Sequence, residues 1–99
     1  MNELILEKAY EYGSQAFEKA AEEAYLKLSN DFQELDRNTL FEASEKGINL
    51  HFQAYQLGFK IHGNMLSIEK ALVVLGKQSP GFPKQIYEKA LQGAYVETR

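Results

Sequence analysis

The sequence contains no cysteine, and its two prolines both fall within residues 77–83, KQSPGFP. Without cysteine there is no disulfide framework and no thiolate metal site, which suits a reducing compartment such as the cytoplasm. With proline confined to one short stretch, the rest of the chain is free to run in long helices. No apolar run approaches the roughly 18 residues a membrane span needs. The opening MNELILEKAYEYG carries three glutamates and lacks the basic-then-apolar layout of a signal peptide. Catalytic signatures are missing too. There is no H-E-x-x-H, no G-x-S-x-G and no glycine-rich phosphate loop, so no enzyme class is indicated.

What is present is a helical pattern in 99 residues, a length that makes one domain, 1–99. The most informative stretch is residues 39–62, TLFEASEKGINLHFQAYQLGFKIH. Read as a helix, Leu40, Ala43, Gly47, Leu50, Ala54, Leu57 and Ile61 form one apolar seam at alternating spacings of three and four. Phe41, Ile48, Phe52, Tyr55 and Phe59 form a second stripe beside it. The polar strip that remains is narrow, so this helix is expected to be central and wrapped by neighbours. Thr39-x-x-Glu42 reads as a capping box and places the helix start at Thr39.

Before it, residues 3–28 read as one long helix. Leu6, Ala9, Gly13, Ala16, Ala20 and Ala24 make its apolar stripe, with Tyr10, Phe17, Ala21 and Leu28 alongside. Asn2 can cap its start. The line Ala43, Gly47, Ala54 and Gly58 is expected to lie against the small residues of this first helix, backbone close to backbone. Residues 29–38 form the connection, with Phe32 and Leu35 tucked onto the bundle. Gly63-Asn64 suits a left-handed helix end, yet apolar positions continue through Met65, Ile68, Leu72 and Leu75. Either one helix runs on to Leu75, about 55 Å in all, or the chain breaks or kinks at Gly63-Asn64; the break is the expectation, with a helix over about 65–76 ended by Gly76. A last helix over about 83–96 starts at Pro83 and buries Ile86, Tyr87, Ala90, Leu91, Ala94 and Tyr95, with a fraying tail. The fold class expected is all-α, an antiparallel bundle of three or four helices.

Charge is uneven. Residues 1–36 hold nine acids and three bases, and residues 37–99 hold five acids and eight bases. That pattern bears on association rather than fold. Lys77, Lys84 and Lys89 flank Phe82 and Tyr87, an interleaving that can grip a nucleic-acid strand. Three lysines on a net acidic chain are a thin footprint, which weighs against nucleic acid as a partner.

Two histidines face the presumed core. His51 and His62 are 11 residues apart, about 16 Å along a helix, too far to share one metal ion through bonds of about 2 Å. Neither forms the Glu-x-x-His pair of di-iron bundles. No metal or cofactor is expected, and no catalytic residue is assigned. Ser44, His51 and Tyr55 share one side of the helix, and with His62 they are the candidate lining of a ligand pocket, His51 being the acid–base candidate. Their bland alternative is a set of buried polar groups bonded within the core. Leu66, Val73 and Val74 lie off the inward face of the third helix and are the candidate partner interface.

Residues 54–60, AYQLGFK, resemble the Gly-Phe-Lys helices of small helical proteins of unknown function in Gram-positive bacteria and their phages. The size and four-helix pattern resemble bacteriocin immunity proteins in architecture rather than in motif. Three functions are therefore carried forward. The first is a non-enzymatic interaction or regulatory protein, a homo-oligomer or a binder of one protein partner. The second is a small-ligand binder or enzyme using the Ser44/His51/Tyr55 side. The third is a bacterial or phage immunity-type factor, which the architectural resemblance implies.

Overall fold

The computed structural model describes residues 2–15 and 20–98, without the side chains of Ala20 and Ala21. Among them the chain is all-α, in five helices: α1 (Glu3–Gln15), α2 (Ala20–Asp31), α3 (Arg37–His62), α4 (Ile68–Gln78) and α5 (Lys84–Glu97). They pack as two compact units, residues 1–49 and 50–99. Of α3, residues 37–49 belong to the first and residues 50–62 to the second.

In the first unit, Asn2 caps α1 as expected, its Oδ1 accepting from the Leu4 amide at 2.8 Å. Ile5, Leu6, Ala9, Tyr10 and Gly13 are the buried face of α1, and Ala24 and Leu28 are buried on α2. The single helix expected over residues 3–28 is instead the pair α1 and α2. A straight helix would hold Tyr12 and Asp31 about 28 Å apart. Here the Tyr12 hydroxyl donates to Asp31 Oδ2, and the Lys27 ammonium stands 5.6 Å from the Tyr12 ring centroid. That hydrogen bond, ahead of burial and the charges of Asp31 and Glu11, raises the Tyr12 pKa. Ala16, Phe17, Glu18 and Lys19, part of the expected stripe and its polar face, lie outside the described residues.

The start of α3 also differs. Asp36, not Thr39, is its cap: Asp36 Oδ1 accepts from the Thr39 amide at 2.7 Å, and the Asp36 carbonyl takes the Leu40 amide at 3.1 Å. The Thr39 amide, then its hydroxyl, hold the Asp36 carboxyl below its ordinary pKa. Thr39 thus occupies the third position of the first turn, where an amide needs a partner from outside the helix.

The expected seam is the buried line of α3. Leu40, Ala43, Leu50, Ala54 and Leu57 are 4% exposed or less, and Ile61 is half-buried. Its small residues do two different jobs. In the first unit, Gly47 meets α1: a Cβ there would strike the Ala9 carbonyl and lie 2.7 Å from the Tyr10 amide nitrogen. In the second, Gly58 meets α5 rather than the first helix, and a Cβ would lie 2.7 Å from Thr98 Oγ1 and 2.9 Å from the Ala94 oxygen. The second stripe is not covered as expected. Phe41, Phe52 and Phe59 remain 51%, 52% and 53% exposed.

In the second unit, α3 ends at His62, and Asn64 takes φ 59°. The Met65 amide bonds the Lys60 carbonyl at 2.9 Å and the Asn64 amide bonds the Ile61 carbonyl at 3.1 Å. These are the paired bonds of a Schellman end, with Asn64 as the left-handed residue, so the chain breaks at the expected place. Ser67 caps α4, its side chain accepting from the Lys70 amide at 3.2 Å. Gly76 does not end that helix, which continues to Gln78. A turn through Gly81, at φ 103°, then leads to Pro83 at the cap of α5. Ile86, Ala90, Leu91 and Ala94 are buried as expected, whereas Tyr95 is 38% exposed. Thr98 does not fray: it is buried, and its Oγ1 donates to the Ala94 oxygen at 2.7 Å.

Candidate functional site

Ser44 is buried on α3, and its hydroxyl donates to the Leu40 carbonyl one turn back at 2.9 Å. A serine satisfied by its own helix has its donor committed to structure. His51 and Tyr55 sit one turn apart on α3 and are half-buried. The Tyr55 ring meets Phe59 edge-to-face, centroids 5.1 Å apart at 89°.

His62 is held by two contacts with Tyr95. Its ring stacks on Tyr95 with centroids 4.3 Å apart and planes 21° from parallel. Its Nε2 lies 2.6 Å from the Tyr95 carbonyl oxygen. A carbonyl can only accept, so Nε2 carries a proton and Nδ1 is the position left for lone-pair chemistry. The contact ties the last turn of α3 to α5.

Two clefts among the described residues are lined by side chains other than Ser44, His51, Tyr55 and His62. The one in the second unit encloses about 240 Å³ between the end of α3, α4 and α5. Ile61, Ile68, Leu72 and Leu91 form its floor, with Glu88, Gln92 and Tyr95 as its polar members. Tyr95, the stacking partner of His62, brings that histidine to its border. Glu88 is 3.9 Å from Lys84 in an exposed, loose pair. The cleft can take up a small apolar group, and its lining contains no nucleophile–base pair. The other cleft, in the first unit, is about 420 Å³ and is lined by Glu22, Tyr25, Arg37, Asn38 and Phe41. Glu22 and Arg37 give it charge of both signs. Among the described residues no group of three or more His, Asp or Glu side chains is placed to hold a metal ion.

Of the candidate interface, Val73 is 58% exposed, while Leu66 and Val74 are half-buried. Their neighbours Met65 and Ile68, expected on the apolar face of this helix with Leu72 and Leu75, are left largely bare instead. Met65 is 75% exposed and Ile68 is 55% exposed, which spacing cannot show, because a position at the border of an apolar stripe reads the same covered or bare. The basic–aromatic set around residues 77–89 is differently used. Phe82 is buried and packs edge-to-face on Tyr87 at 5.9 Å. The Tyr87 hydroxyl donates to the Ser79 carbonyl at 2.7 Å and accepts from the Phe82 amide at 3.2 Å. These rings fasten the α4–α5 turn instead of standing free to stack on bases. Among the described residues no helix is long and apolar enough to cross a membrane.

No protein-family model, curated protein or solved structure matches the chain.

Proposed function

We propose that this chain works without catalysis, through protein–protein contact, as a homo-oligomer or by docking one protein partner. The observation that carries the reading is α4. Its inner positions Ala71 and Leu75 are fully buried, yet Ile68, at the start of the same face, and Val73, on another side of the helix, stay more than half exposed, and Met65 precedes them almost bare. Apolar side chains standing bare on two sides of one short helix mark surface that a partner can dehydrate. We place the protein in the cytoplasm, on its cysteine-free composition. An immunity-type factor occupying one target protein would be a special case of this reading.

The test is to purify the protein from its own host and record native mass spectra of wild type and of Ile68→Lys and Val73→Lys. A bound copy or co-purifying protein, lost in the variants, is the expected result. A bare monomer in all three, with no protein captured, would sink the reading.

A second reading, a small-ligand binder, is favoured by the cleft between Ile61, Leu72 and Leu91. It predicts a retained small molecule in the same spectra, displaced by Leu91→Trp.

A further inference from the structure

The cleft formed by the end of α3, α4 and α5 carries an inference that rests on the small-ligand reading and names the chemistry of the ligand. Every residue of its lining lies within residues 50–99, in one compact unit. The floor is four aliphatic side chains, and the space enclosed is about 240 Å³. An apolar cavity of about 150 Å³ holds benzene, so this one has room for roughly ten non-hydrogen atoms.

The polar members of the lining all come from α5. Glu88, Gln92 and Tyr95 fall within about 60° of one another around that helix, and Glu88 stands about 10 Å along its axis from Tyr95. The cleft thus has a charged end and an aromatic end, with aliphatic floor between them. Among the described residues that line it, Glu88 alone is charged. A carboxylate can only accept hydrogen bonds, and an ammonium group can only donate them. An anion on this floor would be set against Glu88, and a neutral molecule would forgo the charge-assisted bond. We infer that the cleft takes a small alkylammonium ion, with its apolar body on the aliphatic floor and its nitrogen at Glu88. The amide oxygen of Gln92, one turn further along α5, can accept a second bond from the same nitrogen.

Lys84 is the internal competitor for that carboxylate. Its ammonium is 3.9 Å from Glu88, with the two side chains 86% and 52% exposed. A pair so open to water contributes little and is readily exchanged. A ligand cation meets the same carboxylate while its body leaves water, which the lysine does not offer. Because Glu88 stays half in contact with solvent, its charge adds about fivefold in affinity rather than orders of magnitude. The rest comes from the few buried carbons, so binding falls in about the millimolar range.

Amide chemical shifts of the full chain, titrated with hexylammonium, hexan-1-ol and hexanoate at one ionic strength, test this. The ammonium should bind about fivefold tighter than the alcohol, and hexanoate should bind weakest. The shifts should centre on Ile61, Leu72, Glu88 and Leu91. Added salt should weaken the ammonium and spare the alcohol. Glu88→Gln should bring the ammonium down to the affinity of the alcohol, and Lys84→Ala should tighten the ammonium alone. Both positions are exposed, so neither change threatens the fold. An alcohol that binds the cleft as well as the ammonium overturns the inference and leaves the small-ligand reading standing. An ammonium preference that survives Glu88→Gln does the same. No shift at the cleft with any of the three up to about 20 mM overturns both.

Discussion

Gly47 of α3 and Ala9 of α1 meet backbone to backbone, with no space for a side chain on the glycine. Adding a methyl group there improves helix propensity by about 1 kcal/mol, but it must push α1 away from α3. Overpacking of this kind costs about 1–3 kcal/mol, and more where backbone has to move. Gly47→Ala should therefore lose about 2 kcal/mol or more in urea denaturation. Gly58→Ala should lose less, because a Cβ there meets the Thr98 hydroxyl at 2.7 Å and its nearest backbone atom, the Ala94 oxygen, at 2.9 Å, whereas the nearest atoms at Gly47 are all backbone and closer than that. Equal stability of Gly47→Ala and wild type would refute the close crossing.

Gly76 and Gly93 provide the opposite case. Both lie inside helices, α4 and α5, and a Cβ at either would meet nothing within 4 Å. Gly76→Ala and Gly93→Ala should each stabilise the protein by about 0.5–1 kcal/mol. The pair should add, and a thermal melt of the double variant would show it.

Asp36 links stability to acid. Its folded pKa lies below the ordinary aspartate value because Thr39 bonds the carboxylate. A depressed pKa contributes stability that is present above the unfolded value, near 3.9, and is lost as pH falls through the folded one. Asp36→Ala should be less stable than wild type at neutral pH, and the gap should close as pH falls below about 4. Asp36→Ser should keep the cap while losing the pH dependence. A gap that stays constant down to acid pH would rule out the carboxylate as the cause.

Asn64 sits in the left-handed region, which asparagine tolerates and β-branched residues do not. Asn64→Gly should be neutral or slightly stabilising. Asn64→Val should cost about 1–2 kcal/mol and should raise amide exchange at Met65, whose bond to Lys60 closes the helix end.

Much of the fold was legible because helix periodicity is a property of neighbours in sequence. The buried seam from Leu40 to Leu57 was readable from spacing, whereas at Gly63-Asn64 residue type favoured a break and the apolar spacing left a helix running on to Leu75 open. The separation of α1 from α2 was not, since no proline or glycine stands between Gln15 and Ala20 and the apolar period continues through the gap. The capping error at α3 had a similar origin. Asp36 and Thr39 are both good caps, and only the geometry of the Thr39 amide separates them. Spacing put Ser44, His51 and Tyr55 on one side of α3, but it could not say that Ser44 would bond its own helix. Nor could it say that the aromatic stripe would stay bare, because covering a stripe depends on elements distant in sequence.

The turn between α4 and α5 has a consequence for the order of folding. Its clasp is made by Tyr87, which reaches Ser79 eight residues back and Phe82 five residues back. Contacts so near in sequence close a short loop, and such loops form on the submicrosecond scale once collapse begins. The turn can therefore be set as soon as the first coil of α5 exists, before any long-range pairing is in place. The segment from Ile68 to the end of α5 is accordingly the one expected to appear earliest from the unfolded chain.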